Sequence, residues 1–236
     1  MPKFLILIIT LLWACSKDKS PEPVYWEKAT PSSVGLNESI LNDLNLEINR
    51  GTLGQVSSLL IIKNDKLVYE QYRLGFGINE LHPIYSVTKS ITAGLVAIAH
   101  DQKAFNSLQE PILEYLSHVP SENENGWKED MTIEHVLQMR SGLEWDELTN
   151  NYGHPDNSVT GLMNSTNWVN YTLDQPMSSE PGASYTYNSG CTVLLSGLIE
   201  STTGSTTEAF AKEHLFDPLS INRYSWTKTT DVLANT

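Results

Sequence analysis

The chain has 236 residues, 40% of them apolar and 18% charged, which is enough apolar material for a folded core of one or two domains of roughly 100–200 residues each. A net charge of −13 argues against a nucleic-acid partner or an anionic membrane face, because a phosphate binder needs a basic stripe. Two cysteines exclude a disulfide framework, and Glu134-His135 has no second histidine at helical spacing, so no zinc site and no other metal is expected.

The N-terminus reads as an address. A short basic start precedes an apolar run over residues 4–13, too short for a membrane span of about 20 residues but matched to the core of an export signal. Leu12-Trp13-Ala14-Cys15 follows, with a leucine three before the cysteine and a small residue just before it. This resembles the bacterial lipoprotein signal and implies cleavage before Cys15 and lipid on that cysteine, leaving the protein on a membrane and facing the periplasm or cell surface. The expected organisation is a signal peptide over 1–14, a lipidated polar tether over 15–30 and a folded domain over 31–236.

Along that domain, apolar residues at 36, 40, 41, 44 and 48 predict a helix capped by Asn37 or Ser33 and stopped by Gly51. Residues 56–62 and 67–72 predict a β-hairpin about a two-residue Asn64-Asp65 turn. An apolar helix runs over 91–99 with its first turn near Ser86. Short helical pieces fill 105–176, the best of them 132–139. A second apolar helix covers 193–199 and ends at Gly204, and a shorter one covers 208–216. The acidic residues 122–130 and Trp145-Asp146-Glu147 read as solvated loop. Cys191 reads as a small core residue, and Trp127, Trp145 and Trp168 as either groove-lining or core.

The chemistry concentrates in two places. Ser-x-x-Lys occurs at Ser16/Lys19, Ser86/Lys89 and Ser225/Lys228, but only Ser86/Lys89 opens an apolar helix. Three apart on a helix, the two share a face. A serine hydroxyl needs a base, a desolvated lysine can be one, and the first turn of a helix offers unpaired N–H groups to an oxyanion. The bland alternative is a capping serine beside a solvated lysine. The second place is the Pro181-Gly182 turn, followed by Tyr185, Tyr187 and Ser189 before the 193–199 helix. A phenol beside a lysine can relay protons, and Ser189 can hold a polar group of a substrate.

Ser86-x-x-Lys89 followed by Tyr187-Asn188-Ser189, with Thr132-Ile133-Glu134-His135-Val136-Leu137 and Ser141-Gly142-Leu143 between them, resembles the serine β-lactamase and penicillin-binding-protein superfamily, in its class C β-lactamase-related branch. The resemblance covers about residues 30–225. It implies an α+β, β-lactamase/transpeptidase-like fold: an antiparallel sheet flanked by helices, plus a helical subdomain. It also implies Ser86 as acylated nucleophile, Lys89 as its base partner and Tyr187 as proton relay, with no cofactor. Ser189 stands where true class C enzymes carry asparagine, which is more like the esterase and 6-aminohexanoate-dimer hydrolase side of the family. No Lys-Thr-Gly or His-Thr-Gly follows Tyr187, and the expectation is a truncated chain whose C-terminal strands are missing. The reading is an exported serine hydrolase acting on a small-molecule amide or ester; the rival is a non-catalytic surface lipoprotein of the same fold that binds peptide or peptidoglycan fragments.

Overall fold

The computed structural model describes residues 26–119 and 126–227. The expected signal peptide, Cys15 and residues 15–25 of the expected tether lie outside them. The hairpin forms as read: β2 (Ser58–Lys63) and β3 (Lys66–Tyr72) pair antiparallel. Asn64 and Asp65 turn between them, both left-handed at φ 53° and 57°. Asn and Asp tolerate that conformation best among non-glycine residues, and it matches the twist of the flanking strands.

A third strand departs from the expectation. β1 (Glu27–Lys28) lies within the stretch read as tether and pairs parallel with β3, giving the order β1-β3-β2. The sheet is therefore mixed rather than wholly antiparallel. Two residues are too few for a periodicity signal. Ion pairs fix this strand: Lys66 to Glu27 and Lys28 to Glu70, each at 2.8 Å.

The predicted N-terminal helix is α1 (Glu38–Arg50), capped by the Asn37 side chain, which accepts from the Ser39 N–H at 2.9 Å. Its apolar stripe is poorly covered. Ile48 is buried, while Ile40 and Leu46 are exposed. Arg73, just past β3, reaches back to Asn45 and Asn49 on this helix.

The remaining chain is a helical layer. It comprises α2 (Val87–Asp101), α3 (Leu113–Leu116), α4 (Gly126–Glu129), α5 (Ile133–Leu137), α6 (Ser158–Asn164), α7 (Trp168–Leu173), α8 (Ser189–Thr203) and α9 (Thr207–Ala211), the last running into a π turn over Lys212–Phe216. α8 is the axis and packs against α2, α3, α5, α7 and α9. Leu194, Leu198 and Ile199 on α8 are fully buried against Leu95 and Val96 of α2, Ile133 and Val136 of α5, and Leu173 of α7 within one cluster. Each such side chain contributes about 1.5–3 kcal/mol by burial. α8 starts four residues before its apolar run, because Asn188 caps it by accepting from the Cys191 N–H at 3.2 Å. At Gly190 a Cβ would stand 2.6 Å from Thr172, so α7 and α8 approach closely there.

Two stretches read as solvated loop hold buried side chains, although Glu129, Asp130 and Asp146 are exposed as expected. Lys128, in α4, is fully buried, and its ammonium donates to the Leu173 and Gln175 carbonyls at the end of α7. A cation at a helix C-terminus complements the helix dipole. Trp145 and Glu147 are buried, at 7% and 3% exposure. Their polarity is satisfied internally: the Trp145 indole N–H donates to Glu147 at 2.6 Å.

The 139–144 stretch forms a cradle for the segment leading into α8. Glu144 N–H donates to Pro176 O, Ser178 N–H to Gly142 O, Gly182 N–H to Arg140 O and Thr186 N–H to Met139 O, all at 2.7–2.9 Å. Leu143 bridges Met177 in antiparallel fashion. Gly142 sits at φ 81°, and a Cβ there would lie 2.3 Å from the Ser179 carbonyl oxygen, a backbone atom that cannot swing aside. Gly142→Ala is expected to lose at least about 2 kcal/mol in urea unfolding, from left-handed strain plus this clash; an unchanged midpoint would contradict the cradle.

Cys191 is 1% exposed, and burial pushes its thiol up to about 12. Iodoacetamide in mildly alkaline buffer is therefore expected to leave Cys191 unmodified in the native protein and to alkylate it after urea unfolding, as read by mass spectrometry of its peptide. Native-state modification would show that the α8 core opens.

Candidate active site

The loop over residues 83–86 delivers Ser86 to the start of α2. Tyr85 is left-handed at φ 43° and 83% exposed, a strained conformation for an aromatic residue. Ser86 follows at the N-cap with helix-like angles, and its hydroxyl makes no capping bond. The structure thus sets aside the capping-serine alternative. Tight i→i+3 bonds use the next three amides: Val87 to Ile84 O, Thr88 to Tyr85 O and Lys89 to Ser86 O, at 3.0–3.1 Å. Among the described residues the Ser86 N–H itself donates to no protein acceptor. It is one of the amides at a helix start that the helix itself leaves unpaired.

The three predicted residues meet. Lys89 Nζ donates to Ser86 Oγ at 3.1 Å. Tyr187 OH lies 2.6 Å from the same oxygen, across 101 residues of sequence. The ammonium also stands 4.9 Å from the centroid of the Tyr187 ring, a distance at which a cation is attracted to the ring face. Ser86 is exposed, whereas Lys89 and Tyr187 are half-buried. Among the described residues no carboxylate forms a salt bridge with Lys89. A hydroxyl open to solvent, an amine with no salt-bridge partner among the described residues and a phenol touching both form an arrangement through which a proton can pass between them.

The other expected residues fall differently. Ser189 opens α8, and its hydroxyl donates to Glu147 at 2.9 Å, so as a donor it is already committed. Tyr185 is exposed and rests its OH 3.8 Å from Met139 Sδ, away from the Ser86 cluster. Trp145 is core, Trp127 is exposed, and Trp168 is half-buried on the wall of a cavity of about 1230 Å³. That cavity is lined by Tyr85 and Thr88 on either side of Ser86 and by Val193, Phe216 and Trp226. Ser86, Lys89 and Tyr187 are not among its lining residues. Glu147 was missed: the sequence shows a polar Trp-Asp-Glu string, and only its burial beside Ser189 reveals a role.

Comparison with known proteins bears on the fold and the family. A family model described as Beta-lactamase matches residues 53–234. A protein of Escherichia coli K12, provisionally described as a D-alanyl-D-alanine carboxypeptidase, is 24% identical over 248 residues, covering 94% of this chain and 55% of that protein. Among solved structures, a protein of Bacillus anthracis provisionally named a 6-aminohexanoate-dimer hydrolase superposes with a TM-score of 0.58 at 18% identity, over 78% of this chain and 50% of the other. The octameric penicillin-binding protein homologue of Pyrococcus abyssi superposes with a TM-score of 0.61 at 21% identity, over 80% and 44%. At these identities the superpositions speak for the fold alone. The chain spans about half the length of the relatives it matches. With the family model matching most of its length and Ser86, Lys89 and Tyr187 gathered around one hydroxyl, the chain belongs to the Beta-lactamase family.

Proposed function

We propose that the chain is the Ser86-bearing part of an exported serine hydrolase that cleaves a small amide or ester through an acyl-enzyme. The observation that carries this reading is a single oxygen, Ser86 Oγ, within hydrogen-bond reach of both an amine and a phenol. Ser86 Oγ attacks the substrate carbonyl carbon as its proton passes to the Lys89–Tyr187 pair. The carbonyl oxygen becomes an oxyanion facing the Ser86 N–H. Collapse breaks the C–N or C–O bond, and the leaving group departs with the proton returned through Tyr187. Water then attacks the acyl carbon, the same pair takes its proton, and Ser86 regains a hydrogen as the acid leaves. General acid–base groups of this kind contribute about 10²–10⁴-fold each.

The substrate preference follows from the tyrosine motif. Ser189 occupies its third position, and its hydroxyl is turned to Glu147. We read this as favouring esters and simple amides over cephalosporins. With the full-length protein, a fluorophosphonate probe is expected to label Ser86, and Ser86→Ala is expected to abolish labelling. Tyr187→Phe is expected to slow labelling by about 10²-fold. Turnover of p-nitrophenyl esters is expected to exceed that of nitrocefin. Labelling that persists in Ser86→Ala, or a wild-type protein that is never labelled, would sink the assignment.

We infer that Cys15 carries the lipid anchor. Acyl chains contribute about 0.8 kcal/mol per buried methylene, so several chains hold a protein firmly on a membrane. Cells fed an alkyne-tagged fatty acid are expected to tag the wild-type protein in the membrane fraction. Cys15→Ser is expected to lose the tag, and retention of the tag in that variant would refute the anchor.

A further inference from the structure

Glu147 is 3% exposed, and among the described residues no lysine, arginine or histidine forms a salt bridge with it. A carboxylate in that position is costly unless donors surround it. Three do. Its Oε2 accepts from the Trp145 indole N–H at 2.6 Å and from the Ser189 backbone N–H at 2.8 Å, and its Oε1 accepts from the Ser189 hydroxyl at 2.9 Å. The Ser189 amide is the first of α8, one of the N–H groups that a helix cannot satisfy by itself. The positive end of a 15-residue helix therefore faces this carboxylate.

The carboxylate is itself held. The Glu147 carbonyl accepts from Asn157 Nδ2 at 3.2 Å, and Asn157, 1% exposed, caps α6. The Trp145 ring meets Tyr171 of α7 edge-on at 6.3 Å. Glu147 thus ties the loop over residues 144–157 and the α6–α7 pair to the residue two beyond Tyr187.

We propose that Glu147 is a positioning residue for proton transfer at Ser86. By holding both the amide and the hydroxyl of Ser189, it fixes the Tyr187–Ser189 turn so that the phenol stays within hydrogen-bond reach of Ser86 Oγ. Ser189 is then a clamp on the tyrosine segment in place of a substrate contact. The proposal deepens the hydrolase reading above and rests on it for its kinetic consequence.

Two readouts on the full-length protein test it. The first is kinetic, with p-nitrophenyl acetate. Glu147→Gln is expected to lower kcat by about a hundredfold with KM unchanged, the scale of a displaced catalytic group. In a Tyr187→Phe background the same substitution is expected to add no further loss, because the two act through one contact. A structural role would multiply the losses instead. The second readout needs no turnover. In protein labelled with ¹³Cζ-tyrosine, the resonance that disappears in Tyr187→Phe is expected to shift or broaden in Glu147→Gln, while the Tyr115 resonance stays put. Ser189→Ala removes only the 2.9 Å bond and is expected to move both readouts in the same direction by less, which covers the case in which Glu147→Gln does not fold. Full kcat with an unmoved Tyr187 resonance, or equal fold losses in both backgrounds, would overturn the proposal. A moved resonance in a wild-type protein that turns over no ester would instead remove the hydrolase reading and leave the positioning role standing.

Discussion

The contact on which the site depends is the one between two hydroxyls, Ser86 Oγ and Tyr187 OH, 2.6 Å apart and 101 residues apart in the chain. Neither residue holds it alone. Ser86 is placed by the start of α2 and by the strained backbone at Tyr85. Tyr187 is placed by the Met139–Glu144 cradle behind it and by the capped start of α8 ahead of it. The two meet because α2 and α8 pack on each other through Leu95, Val96, Leu194 and Leu198, all essentially without exposure. A packed core deforms little, so the burial of these four side chains transmits as a fixed distance at the helix starts.

The contacts that join the trio are made outside the sheet. The three strands are linked to one another by hydrogen bonds and ion pairs, and their tie to α1 runs through Arg73 just beyond β3. The buried cluster is drawn from the helical layer, from Leu95 to Phe216. On the outer side, Leu60 and Ile62 of β2 are exposed at 45% and 43%. Ser86, Lys89 and Tyr187 all sit on helix starts or on the segment entering one, where orphaned N–H groups and a helix dipole are available.

What could be read in advance follows the same line. Ser86 and Lys89 were legible because a serine three before a lysine at the head of an apolar helix is a local pattern. Tyr187 was told apart from Tyr185 by the family resemblance alone, since both follow the same Pro-Gly turn. The hairpin was legible from β-branched runs about Asn64-Asp65. β1 was not, because a two-residue strand of Glu and Lys carries no periodicity and is defined by its partners. Glu147 was misread as solvated, and Lys128 was passed over among its acidic neighbours, because charge is a good guide to exposure only when nothing internal satisfies it. Their acceptors and donors, Leu173 and Gln175 for one, Trp145 and Ser189 for the other, are brought up by the fold from as far as 47 residues away.

The charge balance of the chain sharpens this point. With 28 acidic residues against 15 basic ones, a carboxylate beside Lys89 would be easy to come by, and it would hold the amine protonated and spoil it as a base. No such pair forms among the described residues. The buried acid that meets this segment is Glu147, reached across the fold, and its charge is absorbed by two N–H groups and a hydroxyl rather than by the amine. A buried anion satisfied by neutral donors can order the tyrosine segment without pairing with the lysine and holding it protonated, which a salt bridge at the same place could not do.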